Sequence, residues 1–196
     1  MSYRRSTGTS RGEARRLQLL ERVTDDLAAN GLVDFSLRRA ARAAGATHKV
    51  LLYHFDGVDD LLKQAILRLR ERRIGNALAV LPPDGSLGDR VRAIWAVLFA
   101  DESGLRVLDQ VIGLSLYDPE RYGELGREAS QQYMPVLLAI CPDHWSERRK
   151  LEVSSLIMAA LRGFLVHRLT TGDTAGATAG LEALVRALDQ EEAAGS

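Results

Sequence analysis

Lys49 and Tyr53 stand four residues apart in the run Thr47-His-Lys-Val-Leu-Leu-Tyr-His-Phe55, a spacing that sets two side chains on one face of a helix. On the same wheel Leu51 and Phe55 point the opposite way, with His48, Val50, Leu52 and His54 flanking. The outward face therefore mixes an ammonium, a phenol and imidazoles with apolar groups. Such groups reach phosphate oxygens and guanine edges, and a valine can meet a thymine methyl. The chemistry on offer is contact with the major groove of DNA.

A face of this kind works only if a rigid support aims it. Leu37, Ala40, Ala41 and Ala44 recur at helical spacing just before it, and Ser36 is placed to cap that stretch. Gly45 suits the left-handed exit of a helix, and Thr47 is a natural cap for the next one. The pattern predicts two short helices around a tight turn, with small alanines letting them cross closely. Helix pairs joined by glycine-containing turns also serve ordinary all-α proteins, so spacing alone leaves both readings open.

The run Gly45-Ala-Thr-His-Lys-Val-Leu-Leu-Tyr-His-Phe-Asp-Gly-Val-Asp-Asp-Leu61 resembles the signature of the tetracycline-repressor (TetR) family, Gly-Val-Ser-x-Gly-Thr-Leu-Tyr-x-His-Phe-x-Ser-Lys-Glu-x-Leu. Gly45, Thr47, Leu51, His54, Phe55, Asp59 and Leu61 fit it, and with the preceding helix the resemblance covers roughly residues 12–66. Lys49, Val50, Leu52 and Val58 depart from it, which removes two usual phosphate contacts that Lys49 and Tyr53 are placed to replace. The resemblance implies a helix-turn-helix regulator, usually a repressor, that binds a pseudo-palindromic operator in double-stranded DNA as a homodimer and is released by a small-molecule effector. The DNA-binding set expected here is Ser36, Arg38, Thr47, His48, Lys49, Val50, Tyr53 and His54. Ser36, Thr47, Tyr53 and His54 would hold phosphates, and His48, Lys49 and Val50 would lie nearest the base edges.

Composition narrows the class. The 196 residues are 46% hydrophobic and carry no net charge, as expected for a globular protein with room for a sizeable core. No apolar run approaches the ~20 residues that span a bilayer, and no signal-peptide segment is evident, so a cytoplasmic protein with no membrane partner is expected. Cys141 is the sole cysteine and reads as a small buried residue. Residues 1–57 hold ten bases and six acids, a net of +4 against −4 for the rest. A basic head on an acidic body suits a polyanion-binding module joined to a domain that does not bind.

The expected organisation is a flexible basic arm at 1–11, in which Arg4 and Arg5 could enter a minor groove, a helix-turn-helix domain at 12–57, and a ligand-binding and dimerisation domain at 58–196. Leu17, Leu20, Val23 and Leu27 mark the first helix, ending at Asn30-Gly31. Asp59 and Asp60 open a fourth helix shared by head and body, and its charged run Arg68–Arg73 reads as a solvated face. Nine helices are expected in all, an all-α fold, with Pro135 kinking the seventh (120–140).

Trp95, Phe99, Tyr117, Tyr133, Met134 and Met158 supply apolar and aromatic wall for an effector site in the body, and Arg162 among them could pair with an anionic group. A largely apolar effector follows. The stretch Val153–Leu169 is apolar around most of its circumference and needs cover beyond one chain. By the resemblance it pairs with the last helix as a dimer interface, giving Leu156, Phe164, Leu181, Leu184, Val185 and Leu188. No enzyme is expected: Gly113-Leu-Ser-Leu-Tyr117 lacks the second glycine and the strand of a nucleophile elbow. The four histidines and one cysteine have no metal-ligand spacing, so neither metal nor cofactor is expected. The alternatives are a DNA-binding regulator governed by a protein partner or by no effector, and a helical enzyme with a vestigial head.

Overall fold

The computed structural model describes residues 10–100, 102–131 and 133–194. Among the described residues there are ten α-helices and no strand. They fall into two compact units, one running up to Leu69 and the other from Arg70 onward.

The first unit contains α1 (Ser10–Asn30), α2 (Leu37–Ala44), α3 (His48–His54) and the opening turns of α4 (Val58–Ala79). Helix α1 starts two residues before the expected boundary, and the remainder of the expected arm, with Arg4 and Arg5, lies outside the described residues. Its buried stripe is Leu19, Leu20, Val23, Thr24 and Leu27. Leu17, expected on that stripe, is 48% exposed. At roughly 100° per residue it lies about a quarter-turn off the stripe's centre. Thr24 takes a place in the stripe because its hydroxyl donates to the Leu20 carbonyl at 2.8 Å, so no polar group is left bare.

The second unit holds the rest of α4 together with α5 (Leu87–Ala100), α6 (Glu102–Tyr117), α7 (Pro119–Gln131), α8 (Met134–Ala139), α9 (Glu147–Thr171) and α10 (Thr174–Ala194). The seventh expected helix is two helices. Pro135 sits in the first turn of α8, where a missing amide costs nothing, so the chain starts a new helix there rather than kinking an old one. Helices α6 and α7 pair, while α5, α9 and α10 pack around a core that includes Val91, Trp95, Ile157, Leu161 and Leu188. Cys141 is buried in this core, as expected, with its thiol against the Leu137 carbonyl and Ser154.

The start of α5 is fastened by the end of α10. The Ser86 hydroxyl donates to Asp189 Oδ1 at 2.8 Å, the Gly88 amide to the same oxygen at 3.2 Å, and the Leu87 amide to Glu192 at 2.7 Å. Carboxylates thus satisfy the open amides at the positive end of a helix. Gly88 permits the approach, since a Cβ there would lie 2.4 Å from Asp189 Oδ1 and 2.9 Å from Val185.

Candidate nucleic-acid interface and body cavity

In the first unit the turn between α2 and α3 is built as its sequence dictates. Ser36 accepts from the Arg39 amide at 3.3 Å, and Thr47 from the Val50 amide at 3.3 Å. Gly45 takes the left-handed conformation at φ 60° and ψ 42°, and Arg22 Nη1 donates to the Ala44 carbonyl at 2.9 Å, satisfying the helix end. Arg39 ties α2 to α1 through Asp26 Oδ2 at 2.7 Å and to the intervening loop through the Val33 carbonyl at 2.8 Å. Leu51 and Phe55 anchor α3, with the Arg16 guanidinium 5.2 Å above the Phe55 ring. Several bases of the head are therefore structural.

What α3 leaves outside is a continuous set. Thr47, His48 and Lys49 are exposed, as are Leu52 (53%) and Tyr53 (78%), and Arg38 on α2 is exposed as well. Ser36, Val50 and His54 are half-buried. Burial, followed by the charges of Arg16 and Arg15, lowers the His54 pKa, which favours the neutral imidazole, a form that keeps one N–H to donate. The hydroxyls of Ser36 and Thr47 accept from backbone amides yet keep their own protons for a phosphate oxygen.

The second unit contains a cavity of about 90 Å³ walled by α4, α5, α6, α8 and α9. Of the residues expected to line it, Tyr133, Met158 and Arg162 do. Trp95 and Phe99 do not. They face the core, with ring centroids 5.7 Å apart, and the Arg168 guanidinium lies 3.6 Å from the Phe99 centroid. Met134 is half-buried outside the lining. Tyr117 is 89% exposed, because it is the last residue of α6 and Pro119 already begins α7.

The polar groups of the wall include two that the sequence reading passed over, Arg70 and Asp109. Arg70 is 0% exposed and Arg73 3%, so the charged run on α4 is not a solvated face at these positions. The signal was their phase: Arg70 follows Ile66 by four residues and Arg73 follows Leu69 by four, which keeps both on the apolar stripe. None of the three guanidinium nitrogens of Arg70 has a hydrogen-bond partner among the described residues. Burial pushes its pKa down to about 10, with Tyr133 and Glu128 working against the fall and Arg162 adding to it. Burial likewise raises Asp109, opposed by Arg162 and Arg73. It also raises Tyr133, whose hydroxyl lies against Arg73.

The residues expected at a dimer interface mostly turn inward. Leu181, Leu184, Val185 and Leu188 belong to the core that α10 forms with α5 and α9. Phe164 sets its ring edge-on to Trp95 at 6.2 Å and fills the space left by Gly180. Leu156, at 54% exposure, does face outward. Apart from Leu156, these apolar residues pack into the core shared with the chain's own α5, which is why an all-round apolar α9 does not by itself require a second copy.

No protein-family model and no curated protein matches the sequence. Solved structures do resemble the chain. A TetR-family transcriptional regulator from Cytophaga hutchinsonii is 14% identical, with 93% of this chain and 98% of that one covered at a TM-score of 0.72. The multidrug binding protein EbrR complexed with imidazole is 21% identical, with 96% and 97% covered at 0.68. A candidate transcriptional regulator from Saccharomonospora viridis in complex with choline is 20% identical, with 88% and 93% covered at 0.62.

Proposed function

From the fold of the TetR-family transcriptional regulators, which this chain has, we propose that the protein is a ligand-responsive transcriptional regulator, a repressor, that binds a pseudo-palindromic operator as a homodimer. The observation that carries this reading is the outward face of α3. Lys49, Leu52 and Tyr53 are exposed on a helix otherwise locked by Leu51 and Phe55. A short rigid helix with that face matches the docking of a recognition helix in the major groove. In this arrangement Ser36, Thr47, Tyr53 and His54 hold phosphates, Arg38 adds charge, and His48, Lys49 and Val50 meet base edges. The cavity in the second unit supports effector control, and two similar structures hold small molecules, imidazole and choline.

Selection of bound fragments from genomic DNA tests the reading. It should return a motif with two half-sites about one helical turn apart, roughly 34 to 36 Å. Retrieval of no DNA would favour a helical enzyme with a vestigial head. DNA binding that no small-molecule library alters would favour control by a protein partner or by no effector.

The second copy docks on the outward faces of α9 and α10. Leu156 and Val166 are 54% and 43% exposed, and Ala159, Gly163, Ala179, Ala183 and Ala187 are exposed small residues that let two helices approach closely. A glutamate at Ala183 places a charge in a surface that must lose its water on association. Ala183→Glu should therefore run as a monomer in light scattering, with unchanged helical content and weakened operator binding. A mass equal to that of wild type would move the interface elsewhere.

A further inference from the structure

We propose that the cavity of the second unit is a site for a small organic monocarboxylate, its carboxylate held by the Arg70 guanidinium and its hydrocarbon part by the apolar wall. The inference rests on the reading of this cavity as the effector site and names the chemistry of the effector.

Arg70 lines the cavity, is 0% exposed, and has all three guanidinium nitrogens without hydrogen-bond partners among the described residues. Buried charges are ordinarily paired and hydrogen-bonded, because removing an ion from water without compensation is expensive. A planar fork of N–H donors matches a carboxylate, which accepts two parallel hydrogen bonds from it. Tyr133 and Glu128 favour the charge on Arg70 and Arg162 opposes it, while Arg162 and Arg73 act on Asp109.

Apart from Asp109, Tyr133 and Arg162 the remaining wall is hydrocarbon, including Ile74, Ile94, Leu98, Leu108 and Leu161. It accepts an alkyl chain or ring. At Arg70 an amine would meet like charge, whereas a carboxylate meets the opposite one. The cavity's 90 Å³ is below the ~300 Å³ at which pockets for drug-sized ligands begin, so the acid is a small one.

The test uses the full chain and calorimetric titration with benzoate, butyrate and octanoate, each against its own primary amide, which has the same shape and no charge. At least one acid should bind wild type about tenfold or more tightly than its amide, the range of a charge-assisted hydrogen bond. In Arg70→Met that preference should vanish while amide binding persists, and circular dichroism with retained DNA binding shows that the variant is folded. Arg70→Lys, which keeps the charge and loses the fork, should fall between the two. Acid and amide binding alike in wild type would overturn the carboxylate inference and leave the effector cavity standing. If no acid and no amide binds, the carboxylate inference fails, while the effector reading is decided by the small-molecule library. A preference unchanged by Arg70→Met would remove Arg70 as the anchor.

Discussion

Lys49→Ala should weaken operator binding by about 1 to 3 kcal/mol per half-site if the ammonium reads a guanine, and should relax preference at a single base pair. The residue is exposed on α3, one position after the helix begins, where a recognition helix meets base edges. In the proposed homodimer both half-sites lose the contact together, so the measured loss on the full operator is about 2 to 6 kcal/mol if the two add. Contact with phosphate alone gives a different signature: affinity falls for all sequences, and the salt slope shrinks by about one unit per contact. Binding at several salt concentrations to matched and mismatched operators separates these outcomes. A variant that binds both like wild type would take Lys49 out of the interface.

Arg70→Met should stabilise the protein by about 1 to 4 kcal/mol, the range seen when buried charges give way to well-packed apolar residues. At neutral pH arginine is charged in both folded and unfolded chains, so the penalty of burying it is fully present. The folded-state pKa, pushed down to about 10, corresponds to roughly 3 kcal/mol against the charged form. That penalty would be relieved only as pH rose through about 10 and beyond, outside the working range. Removing Arg70 leaves Arg162 and Arg73 to act on Asp109. Methionine has nearly the helix propensity of arginine and fills an irregular space well. Denaturation should show a higher midpoint with an unchanged slope. A midpoint equal to or below that of wild type would mean that the protein itself compensates the guanidinium. A residue that costs stability in the free protein is what a ligand anchor looks like when function and stability conflict.

Local features were legible in the sequence because their causes are local. Ser36, Gly45 and Thr47 cap and turn as read, since a hydroxyl near open amides and a glycine in left-handed backbone depend on a few neighbouring residues. The helices emerged from periodicity, apart from the break at Tyr133, where Pro135 has two meanings: it kinks a helix it interrupts and starts one it heads. What sequence could not divide was inside from outside. Leu184 and Val185 on α10 have the same period whether they face α5 or a second copy, and only packing assigns them to α5. Tyr117 and Trp95 were equally plausible wall, yet one is exposed at a helix end and the other lies in the core. Arg70 and Arg73 were hidden by their charge, although their spacing from Ile66 and Leu69 already placed them on the buried stripe. The exposure of Thr47, His48, Lys49 and Tyr53 was easier, because a solvent face is what a helix shows opposite its anchors.

The clasp between the start of α5 and the end of α10 sets a timetable for synthesis. Ser86 and Asp189 are 103 residues apart, and Leu87 and Glu192 are 105 apart. Bonds of such long range close late in folding. At the usual 5 to 20 residues per second, α5 waits on the order of 5 to 20 seconds for the segment that caps it to be made. During that interval Leu87, Val91, Ile94 and Trp95, the core face of α5, lack their α10 cover. That is the kind of surface that chaperones hold and aggregation exploits.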